Sequence, residues 1–233
     1  MKLGKYKGVQ ADKITVTVTG KDIQQVLERK QRENSVMINS ETDEKTSSRI
    51  EYQQLDDDFA KDFSEYDTLA QWEEAIREDL QIRKETAAYN RLSRNIMTKI
   101  INSSKINIDK DLAADLAEDL YEEFLDNLEA NHISMETFKK RSGKDENFVK
   151  ATKLKEARRY IQEQIVLSEV AKKEHLHVTK EEFTEEIALI AQEEGEDPAD
   201  FIDYLDDQEI EEIREEILLR KAMQLIMETA VII

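Results

Sequence analysis

Few residues in this chain have the type and spacing for covalent chemistry. There are three histidines, His132, His175 and His177, and only the last two are close together, flanking Leu176 with Glu174 beside them. A zinc site needs three or four converging ligands, and no further ligand is spaced to join that pair. The plainer reading, polar residues in a solvated interhelix connection, is therefore favoured over a metal site. With no cysteine in the chain, thiolate chemistry, disulfides and cysteine-type zinc sites are excluded. Serine, histidine and aspartate occur without a nucleophile elbow, and no glycine-rich phosphate loop is present. Asp and Glu total 53, so no acid–base pair can be singled out without a pocket to select it. The expectation is a protein with no catalytic residues, no metal and no cofactor, binding rather than converting its partners.

The composition says what kind of body carries these residues. A single proline, five glycines and 37% charged residues favour long helices over sheets. With aromatic residues at 6%, an extended helical body that buries one stripe of each helix is expected rather than a thick globular core. A formal net charge of −19 argues against nucleic acid as a partner, since phosphate binding needs clustered Lys and Arg. No apolar run approaches the roughly 20 residues of a membrane span. The basic start at Lys2, Lys5 and Lys7 leads into no apolar core, so no signal peptide is visible. A cytoplasmic protein is expected, with a secreted or cell-surface one as the alternative if a signal has been removed.

Along the chain, residues 13–18 alternate Ile14, Val16 and Val18 with polar neighbours, the pattern of a short strand. Thr19-Gly20-Lys21-Asp22 resembles a capping box and opens a short helix carrying Ile23, Val26 and Leu27. Residues 39–48 read as a loop and 49–55 as a second strand pairing with the first, completing a small αβ patch. From Thr68 the period becomes 3.6. Leu69, Trp72, Ile76 and Leu80 lead to Leu92, Ile96 and Ile100, one long helix over 68–102 with a drift in its stripe near Glu85 where it can break. Asp109 caps a helix with Leu112, Leu116, Leu120, Phe124 and Leu128 on one stripe. A short helix runs from Ser134 to Gly143, and a long one spans 145–174. Thr179-Lys180-Glu181-Glu182 is a full capping box whose helix Gly195 closes. Asp197-Pro198 starts a short helix, and the last runs over 208–229 before the apolar tail Ala230-Val231-Ile232-Ile233.

Two junctions match. Ile106-Asn107-Ile108-Asp109-Lys110-Asp111 and Leu176-His177-Val178-Thr179-Lys180-Glu181, 70 positions apart, both read apolar, polar, apolar, N-cap, Lys, acid. A helix, a short helix with Phe138 or Phe201, and a long helix follow each. This is a repeat of two helical-hairpin arms, the second shorter, with Val231-Ile232-Ile233 as a third copy of the apolar-x-apolar element. Two arms leave either a groove between them or a bundle with every face satisfied, and periodicity does not choose. Charge separates them: residues 181–216 hold 17 acidic residues against Arg214 alone, while residues 139–159 hold nine basic and three acidic. Solvated faces explain this most simply, with attraction between the arms or a client of mixed charge as the alternative.

The run Leu55-Asp56-Asp57-Asp58-Phe59-Ala60-Lys61-Asp62, then Ser64-Glu65-Tyr66-Asp67-Thr68-Leu69, resembles the entry to the C-terminal helical domain of trigger factor, the ribosome-associated bacterial chaperone. The similarity continues through Ile108-Asp109, Ser142-Gly143-Lys144, Ala171-Lys172-Lys173-Glu174 with Val178-Thr179, and Asp197-Pro198, covering residues 55–233. The arms then resemble the paired arms of that domain, shared with periplasmic SurA-type chaperones. Residues 3–27 resemble the linker and start of that family's prolyl isomerase domain, but only a short loop stands where the isomerase is expected. No Gly-Phe-Arg ribosome-binding loop occurs.

The resemblance implies a mainly α fold: an extended helical body with two arms at about 103–175 and 176–233, and an αβ remnant over 1–54 in place of the isomerase. It implies an ATP-independent holdase whose cleft shields apolar segments of unfolded or nascent polypeptides, without an isomerase and without direct ribosome binding. The expected client-binding residues are Met97, Ile101, Met135, Phe138, Phe183, Phe201, Met223 and Met227, methionine being suited to adaptable apolar surfaces but at helical spacing more often a core residue. The alternatives are a scaffold gripping one folded partner or a second copy as a homodimer, and a residual prolyl isomerase.

Overall fold

The computed structural model describes residues 1–41 and 52–233. Among them are nine helices and one two-stranded sheet, in the order β1 (Gln10–Ala11), α1 (Gly20–Glu41), α2 (Asp57–Phe63), α3 (Leu69–Ser103), α4 (Lys110–Ala130), α5 (Met135–Ser142), α6 (Glu146–Lys173), α7 (Lys180–Glu194), α8 (Pro198–Tyr204), α9 (Asp207–Glu228) and β2 (Val231–Ile232). The fold is mainly α. β1 and β2 pair in parallel, Gln10 opposite Val231 and Ala11 opposite Ile232.

The helix boundaries follow the capping chemistry. Asp109 accepts from the N–H groups of Asp111 and Leu112, Ser134 from Thr137, and Asp197 from Ala199 ahead of Pro198. Thr179 and Glu182 complete a reciprocal capping box, and so do Asp206 and Glu209. Each satisfies backbone donors that the first helical turn leaves unpaired. Gly143 and Gly195 end α5 and α7 at φ of +71° and +75°, a left-handed conformation that side chains with a Cβ disfavour.

Three expectations need correction. Residues 13–18 are in no strand. Ile14, Val16 and Val18 are half-buried and their neighbours exposed, so the alternation correctly marks the inward side of an extended segment. It lacks a neighbouring strand to make a ladder, and Val18 packs on helices instead. The first helix is not short, since α1 runs 22 residues and takes in residues 39–41, read as loop. Of the second strand over 49–55, residues 49–51 lie outside the described residues and Tyr52 to Gln54 are in no strand. The long helix expected over 68–102 is α3, which runs unbroken past Glu85.

By internal contacts the chain forms two compact units, one of Asp12–Leu92 and one of Met1–Ala11 with Ser93–Ile233, α3 contributing to both. In the first, Ile23 and Leu27 of α1 pack with Phe59 and Ala60 of α2 and with Trp72 and Ile76 of α3. Phe59 stacks on Trp72 with ring centroids 5.8 Å apart. α2 thus covers the apolar face of α1, and the compact units divide the chain elsewhere than at Leu55.

The second unit holds both hairpins. α6 packs on α4 and on α9, and α7 packs on α8 and α9. Its most deeply buried large side chains include Ile96, Met97 and Ile100 of α3, Val166 and Val170 of α6, and Ile226 of α9. The two arms share a plan: in the first, Phe138 of the short helix meets Phe124 edge-on at 5.1 Å. In the second, Phe201 of the short helix folds onto Phe183, Ile187 and Ile217. The second arm is the shorter, its helices α7 and α9 running 15 and 22 residues against 21 and 28 for α4 and α6.

Candidate client-binding surface

The surface that best fits a binding role is built on the first arm. α4 carries two adjoining apolar rows. One, through Ala113, turns inward, with Ala113 only 1% exposed. The second comprises Ala114, Ala117, Tyr121 and Leu125, spaced three or four apart so that they share a face. With Leu154 of α6 they line a hollow of about 410 Å³, whose polar margin is Glu118, Glu122 and Lys150. A second hollow of about 350 Å³ adjoins it through Leu125 and is lined by Leu128, Glu129, His132, Ile133, Ser134 and Met135. Leu125 itself is 37% exposed. An apolar channel with a polar rim thus runs from the α4–α6 seam to the turn before α5.

The polar margin is ordered by charge. Lys150 Nζ lies 2.7 Å from Glu146 Oε1 and 4.8 Å from the centroid of the Tyr121 ring, a cation over an aromatic face. The hydrogen bond from Lys150 is the main reason the Glu146 carboxyl sits below the usual range, with the Tyr121 hydroxyl contributing. Burial, then Glu146, pushes the Tyr121 hydroxyl up. These groups fix the α4–α6 seam and leave the hollow's floor apolar. Such a surface offers unspecific apolar contact, with flexible Met135 at its end.

The expected client-binding residues are dispersed. Met97 and Phe183 are core residues, 2% and 8% exposed. Phe183 is covered on one side by Phe201 and on another by the Arg214 guanidinium, 4.9 Å from its ring centroid. Ile101, Phe138, Phe201, Met223 and Met227 are half-buried, and of the eight only Met135 lines the two hollows. The channel residues Ala114, Ala117, Tyr121 and Leu125 were not singled out from the sequence. Their signal is a second apolar row on α4 beside the Leu116–Leu120–Phe124 row, more than one packing face requires. Leu112, expected on the inward row, is 54% exposed.

The two close histidines are exposed connection residues. His175 has a φ of +53°, and the His177 carbonyl accepts from Lys221 Nζ at 2.7 Å. Among the described residues no helix is long and apolar enough to cross a membrane.

The chain has relatives of known family. The family model for the C-terminus of bacterial trigger factor matches residues 68–228. Trigger factor of Agathobacter rectalis is 32% identical over 76% of this chain and 40% of its own length. Those of Acetivibrio thermocellus and Halothermothrix orenii are 29% and 28% identical over 77% and 75% of the chain, and 42% and 41% of theirs. The chain thus spans about two fifths of the length of the curated relatives it matches. A solved structure of the trigger factor chaperone overlays with a TM-score of 0.42 and 19% identity, covering 77% of this chain and 44% of that one.

Proposed function

This chain belongs to the trigger factor C-terminal family, and from that premise we propose that it is an ATP-independent holdase of the cytoplasm. It holds exposed apolar segments of unfolded or nascent polypeptides against its arms and carries out no covalent reaction. The observation that carries this reading is the apolar channel on the first arm, Ala114, Ala117, Tyr121, Leu125 and Leu154 continuing to Leu128, Ile133 and Met135. Many weak apolar contacts of this kind hold segments of diverse sequence. The half-buried Ile101, Phe138, Phe201, Met223 and Met227 extend the apolar surface toward a client in the cleft between the arms. Met97 and Phe183 support it from the core.

Suppression of aggregation of a chemically unfolded client, followed by light scattering, tests this. Folded protein at equimolar ratio suppresses aggregation, and no suppression would overturn the proposal. A proline-peptide turnover assay reads background rate if the reading is right.

A further inference from the structure

Residues 2–11 lie across the ends of three helices far away in sequence. Lys2 and Lys105, just beyond α3, exchange backbone hydrogen bonds of 3.1 and 2.8 Å. The Gly4 N–H donates to Ser104 Oγ at 2.8 Å. Tyr6 donates to Glu174 at the end of α6, and Lys7 Nζ lies 2.6 Å from the same carboxylate. The Gly8 N–H donates to the Thr229 carbonyl at the end of α9 (2.9 Å), and the Val9 and Ala11 carbonyls accept from Val231 and Ile233 (3.0 Å each). Lys99 Nζ donates to the Gln10 carbonyl at 2.7 Å.

Burial along this stretch alternates. Tyr6, Val9 and Ala11 are 6%, 7% and 2% exposed, while Lys5, Lys7 and Gln10 face solvent. Main-chain bonds to a sheet edge combined with pockets for selected side chains are how a protein holds an extended peptide ligand. Residues 12–19, which follow, are in no regular structure and none is fully buried, so an extended link joins the stretch to α1. Its sheet is two residue pairs long, a length with little stability of its own.

We infer that the surface beneath residues 2–11 is a binding site for extended polypeptide, which the chain occupies with its own segment and which, once that segment is released, accepts in trans a segment of the same chemistry: an aromatic residue followed, three and five positions on, by small aliphatic ones. The aromatic pocket is specific, since Lys173 Nζ lies 5.0 Å from the Tyr6 ring centroid and Glu174 takes the hydroxyl. The position of Ala11, 2% exposed, admits only a small side chain. This site shares no residue with the channel on the first arm and stands independently of the holdase reading.

The test uses the whole chain with a protease site placed within residues 12–18, cut after folding so that the strap remains as a separate segment. A fluorescent peptide of residues 1–12 is then titrated. Saturable binding to the cut chain is expected, absent for the uncut chain and weakened about tenfold or more by Tyr6→Ala in the peptide, a loss of about 1.4 kcal/mol or more. If release of the strap lowers helicity, adding the peptide restores the circular dichroism, which equally supports the site. A cut chain that keeps full helicity and takes up no peptide in large excess overturns the inference. Binding indifferent to Tyr6, or equal in the uncut chain, does so too.

Discussion

The hydroxyl of Tyr6 donates a 2.5 Å hydrogen bond to Oε1 of Glu174, 168 residues away. It fastens the start of the chain to the end of α6, where the first arm passes into the second. Burial, and then the bond to Glu174, pushes the Tyr6 hydroxyl up to about 12, above its ordinary value of about 10. The bond's contribution is therefore complete below about pH 10, the unfolded value, and is lost as pH rises toward the folded one. Tyr6→Phe should be less stable than the parent near neutral pH, with the gap closing over that alkaline range. Urea denaturation across the range checks this, and a gap independent of pH contradicts it.

Gly4 is sterically required where the strap crosses α3. A Cβ there would stand 2.1 Å from Ser103 Oγ and 2.7 Å from the Ser103 carbonyl carbon. Gly4→Ala should cost about 1–3 kcal/mol, as over-packing does. Ser103→Ala should not rescue it, because the backbone clash remains. Thermal melts of the single and double variants decide this.

The capping box of α7 is reinforced from α9. Lys221 Nζ lies 2.5 and 2.7 Å from the two Glu182 oxygens, and Glu182 accepts from the Thr179 N–H at 2.8 Å. Lys221 first, and then the Thr179 backbone, holds the Glu182 carboxyl below its usual range. A depressed carboxyl stabilises the fold above its unfolded value, near pH 4.3, and loses that contribution as pH falls through the folded value. Glu182→Gln should lower stability near neutrality, and only modestly because the site is partly exposed. Its difference from the parent should vanish in acid, as chemical denaturation at the two pH values will show.

Trp72 is the chain's one tryptophan and lies in the core of the Asp12–Leu92 unit, so its fluorescence reports that unit. Phe59→Ala removes the ring stacked on it and should cost that unit about 3–5 kcal/mol. The fluorescence transition should then precede the main loss of helical circular dichroism. Coincident transitions in the variant would show that the units unfold together.

Local chemistry was legible in the sequence and long-range partners were not. Asp109, Ser134, Thr179 and Asp197 mark helix starts because a cap acts on backbone two or three residues away. Phe138 and Phe201 mark the repeat because each packs within its own arm. Val16 and Val18 show the opposite limit: alternation reveals which side chains turn inward, but a strand also needs a partner. The Tyr6–Glu174 bond and the pairing of β1 with β2 join positions whose separation leaves no periodic trace. Met97 and Met135 are alike as residue types, yet one is core and the other lines a hollow, a difference set by which neighbouring helices cover each.

The most direct test of the holdase reading is aggregation suppression by a variant altered only in the channel. Leu125 is partly exposed between the two hollows, so Leu125→Asp places a charge in the channel with little effect on the core. Light scattering of an unfolded client should be suppressed by the parent and several-fold less by Leu125→Asp at unchanged helicity, since apolar segments bind poorly against an unpaired charge. Equal suppression by the two proteins would contradict the channel as the client site, and no suppression by either would contradict the chaperone function itself.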